Sequence, residues 1–523
     1  MSASVSAPAA SRATPGSFAV GTLVAGCLAV CLAQIGIAVP ATLNGLFQQD
    51  LHPVGSQLTW ISDAFLLPVT VLELTFGVLG DLFGRKRLLV GGAVLLAAGE
   101  AVAAASSGVH QLWAGQALAG LGAAALFPTS LAMVAAACDT AARRTRSIAL
   151  WASSLSAGGF LAPLLGGVTG TYGSWRAAFV VVAGLGVVSA VVTFLLARNS
   201  SSPEGRSLDV GGQITIGVGA FALLYGVIQG PEDGWGSAGV VVAFVVAAVF
   251  LGLFVAAERR ARSPLLRLGL FADRSFAVAS VVAVVGMFAF LGTAYATSIR
   301  LGPIQHQSPL RTAFAFLLLN GLTPVMTPLT ARLLNRLAPR MLLAGGLALM
   351  AAGDLVAATL DVSDRALPSL ILPLGLVGVG FAFTVSSLTA TAVTAAPAHL
   401  AGMASATTNL LRDFGFTLGP AVIGAVALGQ AASRVRASLG TAHLAPDAEA
   451  AAGHVLAEGG PLALNSVPPQ SPPGVATPYA FEALGHGYAI GYVVCGAAAA
   501  VAAALVVAVL RSGGGTADQS AGA

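Results

Sequence analysis

Apolar runs long enough to cross a bilayer recur along the whole chain, and they constrain its fold more than any motif does. Fourteen can be read, at about 18–46, 58–82, 88–106, 110–136, 147–170, 176–197, 209–229, 237–257, 276–298, 312–333, 341–360, 367–393, 401–429 and 487–511. A helix rises about 1.5 Å per residue, so about twenty residues cross a hydrocarbon core about 30 Å thick. No water satisfies peptide groups there, which restricts spanning segments to helices or closed barrels, and runs of this length predict helices. The expected fold class is therefore an all-α polytopic membrane protein. Its charged content of 9% agrees, against about 25% in soluble proteins. The Ala/Ser/Pro-rich residues before Phe18 read as a tail leading into a full span, not as a cleaved signal.

Charge placement predicts orientation. If connectors alternate sides, eighteen Lys and Arg, including Arg85, Lys86, Arg87, Arg143, Arg144 and Arg146, share one side, and six lie on the other. Short basic loops stay in the cytoplasm, so both termini are expected inside. The net charge of +4 follows from topology and calls for no nucleic-acid partner. Four scattered cysteines make no disulfide framework. No His/Cys/Asp/Glu group has metal-ligand spacing, and neither metal nor cofactor is expected.

An internal repeat organises the chain. A shift of 254 residues places Gly91–Ala105 on Gly345–Thr359 without a gap and sets Glu100 on Asp354. Two six-helix halves, 18–197 and 276–511, are expected around an inserted helix pair at 209–257, with cytoplasmic tails at 1–17 and 512–523. Residues 430–486, rich in Ala, Gly and Pro, carry too little apolar patterning for a core and read as a mobile outside loop, with a small lid as the alternative.

Within this frame the stretch Trp60–Gly92 is unusual, because one apolar run holds Asp63, Glu73 and Asp81. A charge in hydrocarbon costs roughly 2.5–3.5 kcal/mol on insertion scales. Asp63 and Asp81 share a helix face about 27 Å apart, one near each membrane surface, whereas Glu73 sits about 12 Å inside from Asp81. Glu73, with no interfacial position to explain it, is the first candidate for proton coupling and Asp63 the second; a structural, hydrogen-bonded acid is the competing reading. Arg412 and Asp413 are further intramembrane charges, read as an inter-half gate or as static packing. Glu100 and Asp354 read as snorkelling or structural.

Several segments carry a family resemblance. Gly80-Asp81-Leu82-Phe83-Gly84-Arg85-Lys86-Arg87 resembles the loop signature of the major facilitator superfamily. Gly158-Gly159-Phe160-Leu161-Ala162-Pro163-Leu164-Leu165-Gly166-Gly167 resembles the antiporter motif of its fourteen-helix drug:proton antiporter branch, with Ala162 replacing a Gly. Trp60-Ile61-Ser62-Asp63 resembles the opening of the second helix in some members, and Leu208-Asp209-Val210-Gly211-Gly212, Gly230-Pro231-Glu232-Asp233-Gly234-Trp235, Glu258-Arg259-Arg260 and Leu270-Phe271 resemble the inserted helix pair of that branch. The resemblance implies a major facilitator fold of two six-helix halves plus an inserted pair. It also implies that Gly80, Asp81, Gly84, Arg85, Lys86 and Arg87 form a conformational latch, and that Gly158, Ala162, Pro163, Gly166 and Gly167 seal the cavity. Two positions depart from the pattern: Cys31 stands where the branch usually has an Asp, and Gln116 where the family has an Arg. Both are neutral, which moves any proton chemistry to other acids.

Cavity-lining helices offer Gln34, Asn44, Gln116, Met287, Phe288, Tyr295, Phe381, Phe383, Thr384 and Ser387 as substrate contacts, although each taken singly reads as core. Few polar anchors in an apolar pocket suit a lipophilic compound. The expected function is secondary active export of a small lipophilic molecule (drug, antibiotic or metabolite) by alternating access in exchange for protons, by a monomer in a bacterial inner membrane. Two alternatives stand beside it: a uniporter or importer of a small metabolite, and a non-transporting ligand- or lipid-binding membrane protein. With no nucleophile–base set and no nucleotide loop, an enzyme is not expected.

Overall fold

The computed structural model describes residues 15–202, 208–261, 264–395, 400–442 and 444–510; the terminal tails beyond 15 and 510 lie outside them. Fourteen helices are long and apolar enough to span a membrane. They are α1 (Pro15–Ala38), α2 (Gln57–Phe83), α3 (Arg85–Ala104), α4 (Val109–Ala136), α5 (Ala141–Tyr172), α6 (Trp175–Leu196), α7 (Val210–Asp233) and α8 (Ala238–Arg260). The second half holds α9 (Arg274–Ile299), α10 (Pro309–Leu334), α11 (Pro339–Ala358), α12 (Pro368–Ala395), α13 (Ala401–Leu439) and α14 (Thr477–Leu510).

The duplication is visible in the helices themselves. Both ends of α3 and of α11 differ by the same 254 residues as the sequence repeat. Their packing repeats too: α3 meets α4 through Gly92 and Gly122, and α11 meets α12 through Gly346 and Gly380. A methyl at any of these four would strike the facing backbone, so both halves are built on helix pairs closer than any larger residue allows.

The halves meet on the side opposite the basic loops. Asn44 Nδ2 donates to Ser298 Oγ at 2.8 Å, and these two residues are themselves 254 apart, so the repeat's symmetry axis runs between them. Gly45 abuts Gly302 beside this contact. Leu310 N donates to Thr171 Oγ1 at 3.0 Å, joining α10 to α5. Towards the basic side, α5 over 141–146 and α10 over 327–329 are exposed. The bundle is therefore closed at the face opposite the basic loops.

The inserted pair packs α7 against α2 and α13, beside the seam between the halves. Hydrogen bonds tie it to α2 at both ends. Gln213 Nε2 donates to Val71 O at 2.6 Å and Gln213 also bonds Thr75, while Ser56 at the other end bonds Gln229 and Glu232. Its contact with α13 is apolar, through Leu224, Ile228 and Ala421.

Residues 430–486 differ from the expectation of a loop without a core. The α13 helix continues to Leu439, and a separate helix runs Pro446–Asn465. Leu456, Leu462, Leu464 and Ala476 are buried in the main core. Alanine-rich patterning concealed this, because the buried face is made of small residues and a few leucines. The helix bridges the halves: Gly55 N donates to Gly459 O at 3.2 Å, and Asn465 Nδ2 lies 3.2 Å from the carbonyls of Pro303 and Ile304. A π-helical turn at Arg300–Ile304 leaves those carbonyls in need of a donor. Asn465→Ala should cost roughly 1–3 kcal/mol, the penalty for unsatisfied buried acceptors. Hydrogen exchange should then show 446–465 losing protection ahead of the rest of the bundle.

On the same face Asp50 accepts from Trp175 Nε1 at 2.8 Å and from Arg176 at 2.6 Å. These bonds hold its carboxyl below the ordinary range. A depressed acid contributes stability above its unfolded value of about 3.9, lost as pH falls through the lower folded value. The pair is half exposed, so Asp50→Asn should lower stability by no more than about 1 kcal/mol at neutral pH. That difference should vanish on acidification, as thermal melts at several pH values would show.

Candidate functional site

Glu73 and Asp413 approach each other across the seam between α2 and α13, close enough for each carboxyl to act on the other. The Arg412 guanidinium lies near enough to interact with both, and its Nε has no partner among the described residues. Two features read separately in the sequence, an acid on the second helix and a charged dipeptide on the thirteenth, thus form one group joining the halves.

Helix geometry sets this junction. One turn before Glu73, Thr70 lies 2.7 Å from the Thr417 hydroxyl and 3.1 Å from the Asp413 carbonyl. Gln213 grips Val71 and Thr75, the residues two before and two after Glu73. The α2 turn that carries the acid is therefore held from α13 on one flank and from α7 on another. Thr70, Thr417 and Gln213 are absent from the sequence reading; the three- and four-residue spacings Thr70–Glu73 and Asp413–Thr417 were the available signal.

Asp63 is buried, and neither carboxyl oxygen has a hydrogen-bond partner among the described residues. It lies close enough to Tyr295 for its charge to act on the phenol, whose hydroxyl is 2.7 Å from Thr59 Oγ1. Glu100 is also fully buried and unpartnered, with an oxygen against Gly36 of α1, and so does not snorkel. Asp354 is equally buried and accepts from Thr293 Oγ1 at 2.5 Å. Both acids sit inside their halves, because the glycine contacts of α3 and α11 turn that face inward.

Around the basic loop, Arg85 Nη2 pairs with Asp81 at 2.6 Å and Nη1 reaches Ala132 O at 3.4 Å. Gly80 packs on Thr129, Gly84 takes φ 102°, which admits the reversal into α3, and Lys86 lies 5.4 Å from the Phe194 ring centroid. Arg87 is exposed. These contacts all fall within the first half.

The α5 motif lies where the halves close. Gly158 packs on the Cys31 backbone and Gln34, Gly166 on Thr42 and Val39, and Gly167 on Pro309, Leu310 and Ala313 of the second half. Ala162 and Pro163 are buried between them. Any larger residue at 167 would push α10 away. Gly167→Val should loosen the closed face and speed maleimide labelling of a cysteine placed at buried Leu43, with labelling rates in the two backgrounds as the check.

The substrate candidates differ in burial and in contacts. Gln34 and Phe383 are half-buried, whereas Gln116, Met287, Thr384 and Ser387 are fully buried. Thr384 is packed against Met350, and Phe381 stacks on Phe290 with centroids 3.5 Å apart. Asn44 is committed to the closing contact with Ser298.

The family model of the Major Facilitator Superfamily matches residues 26–420. The chain belongs to this superfamily. Among curated relatives, multidrug resistance protein Stp of Mycobacterium tuberculosis is 33% identical over 370 residues, covering 71% of this chain and 68% of Stp. The tetracenomycin C resistance and export protein of Streptomyces glaucescens is 28% identical over 406 residues, 77% of this chain and 75% of that one. In fold, the chain matches a bacterial homologue of the human lysosomal transporter Spinster, solved inward-facing and unoccupied, with TM-score 0.68 at 15% identity over 95% of this chain and 97% of that one. The POT family transporter PepTSo matches with TM-score 0.61 at 16% identity, over 94% and 98% of the two chains. The fourteen spans and these relatives bear out the fourteen-helix branch and a transporter, not an enzyme.

Proposed function

We propose that this protein exports a lipophilic small molecule across a bacterial inner membrane by alternating access, in exchange for protons. Relatives named for multidrug resistance and for antibiotic export support the export reading. The basic connectors mark the cytoplasmic side. With the opposite face closed, the described conformation is then the one that receives substrate from the cytoplasm or inner leaflet.

The Glu73–Asp413 contact carries the coupling. Two carboxyls this close hold together best with one proton shared between them, and separation of the halves at this level breaks that link. The freed carboxyls, beside Arg412, can then release or take a proton according to the side that water reaches. Loading and unloading thus become linked to the rocking motion itself. Asp63 serves as a second proton-binding acid on the same helix. The Gly80–Arg87 loop acts as the cytoplasmic latch, holding in this conformation to its own half and available to the other when the cytoplasmic face closes.

Reconstitution into liposomes with an imposed pH gradient tests the reading. Substrate-evoked proton movement should fall by about tenfold or more in Glu73→Gln and in Asp413→Asn, with binding retained, and should survive Cys31→Ala. Flux indifferent to the gradient would leave a uniporter. Binding without any flux would leave a non-transporting receptor.

A further inference from the structure

Asp209 and Glu258, from two of the stretches that mark the inserted pair, take no part in the Glu73–Asp413 junction. Asp209 stands immediately before α7 and Glu258 in the last turn of α8, so both lie on the face that carries the basic loops. Each carboxyl is held by one of its oxygens. Asp209 Oδ1 accepts from Gly212 N at 2.8 Å, capping α7, and Glu258 Oε2 accepts from Leu266 N at 2.9 Å. The other oxygen of each, Asp209 Oδ2 and Glu258 Oε1, is buried and has no hydrogen-bond partner among the described residues. These two oxygens converge. A methyl group on Gly212 would lie 2.7 Å from the first and 2.6 Å from the second, so the bare glycine is what leaves room for both between the helices.

Two carboxylates fixed this close repel each other, the more so where little water screens them, and Glu258 is only 4% exposed. Arginine does not answer them. Arg259, Arg260 and Arg267 are exposed, and no guanidinium bonds the two converging oxygens. Both carboxyls already accept a backbone N–H, which suits their charged forms, and a divalent cation would neutralise the pair where one proton neutralises half of it. Magnesium takes one or two carboxylates and keeps water on its remaining positions. Asp209 is half-buried at the aqueous end of its helix, where such water can reach.

We propose that Asp209 Oδ2 and Glu258 Oε1 ligate one divalent cation, Mg²⁺ in the cell, with water completing its coordination. The ion staples the first turn of α7 to the last turn of α8. Through Glu258 it also holds Leu266, whose side chain is buried with Phe254 of α8 and Leu410 of α13. It thereby fixes the segment that carries the chain from the inserted pair into the second half. The site is separate from the coupling acids and rests on neither export nor proton exchange.

The test uses the full-length protein in phosphatidylcholine nanodiscs, stripped with EDTA, and Mn²⁺ as a paramagnetic stand-in for Mg²⁺. Electron paramagnetic resonance should show saturable Mn²⁺ binding that Mg²⁺ displaces and an equal excess of Na⁺ does not. Affinity should fall about tenfold or more in Glu258→Gln, in Asp209→Asn and in Gly212→Ala, whose methyl takes the place of the ion. The two amides keep the acceptors for Leu266 N and Gly212 N, so those variants should fold. Hydrogen exchange over 264–273 should slow when Mg²⁺ is added to wild type, and should not respond in the variants. Glu73→Gln should bind Mn²⁺ as wild type does, which separates this site from the export reading. No saturable Mn²⁺, affinity unchanged in both amide variants, or exchange over 264–273 that responds to pH and not to Mg²⁺, the sign of a shared proton, would each overturn the assignment.

Discussion

A peptide group in hydrocarbon has no water to bond with, and each unsatisfied one costs several kcal/mol. That constraint makes helices obligatory here, and it also dictates how the irregular places are repaired. The π-helical turn at Arg300–Ile304 presents carbonyls that a regular helix would have used, and Asn465 arrives from a distant helix to bond them. The same logic applies to side chains. Thr59 with Tyr295, Thr70 with Thr417 and Asn44 with Ser298 are polar pairs that cross between the halves, so each half depends on the other for satisfaction. In a transporter whose halves must part, these crossings set which conformations are cheap to leave.

Between lipid-like surfaces the hydrophobic effect gives little drive, and close approach takes over. Glycines make that approach in both copies of the repeat, at Gly92 with Gly122 and at Gly346 with Gly380. They build rigid halves. At the seam the small residues are arranged otherwise: Gly167 faces α10 and Gly45 faces Gly302, so the halves close on each other beside the Leu310–Thr171 and Asn44–Ser298 bonds. Rigid halves with a smooth, bondable seam are what rocking about a central site requires.

Much of this was legible in the chain. Fourteen apolar runs, an exact offset of 254 between α3 and α11, and the Gly80–Arg87 spacing lead to the fold without coordinates. Residues 446–465 were not legible, because alanine makes a buried face in a polar-looking context, and core membership depends on what lies opposite. The site was legible in parts only. Glu73 and Asp413 each stand out as acids in hydrocarbon, but 340 positions separate them, and no periodicity reports a contact at that distance. Gln34 packs beside Gly158 of α5, while on α12 the adjacent Phe383 and Thr384 face different surroundings, Phe383 half-buried and Thr384 against Met350.

The neutral residues at Cys31 and Gln116 bear on where a proton could be handled at all. Cys31 packs its backbone against Gly158, and Gln116 is buried with both amide atoms unpartnered, so neither offers an exchangeable charge to the seam. What remains at the boundary between halves is the Glu73–Asp413 pair with Arg412 and, nearer the closed face, Asp63 beside Tyr295. A pair that shares a proton when together and repels when both are ionised is itself a two-state element. Its placement matters because α2 is tied to α7 at Gln213, level with Glu73, and at Ser56, whereas among the described residues α7 meets α13 through the apolar side chains of Leu224, Ile228 and Ala421. The inserted pair should therefore travel with the first half and slide over the second, while Glu73 and Asp413, like Thr70 and Thr417 one turn away, must part near the middle of the membrane.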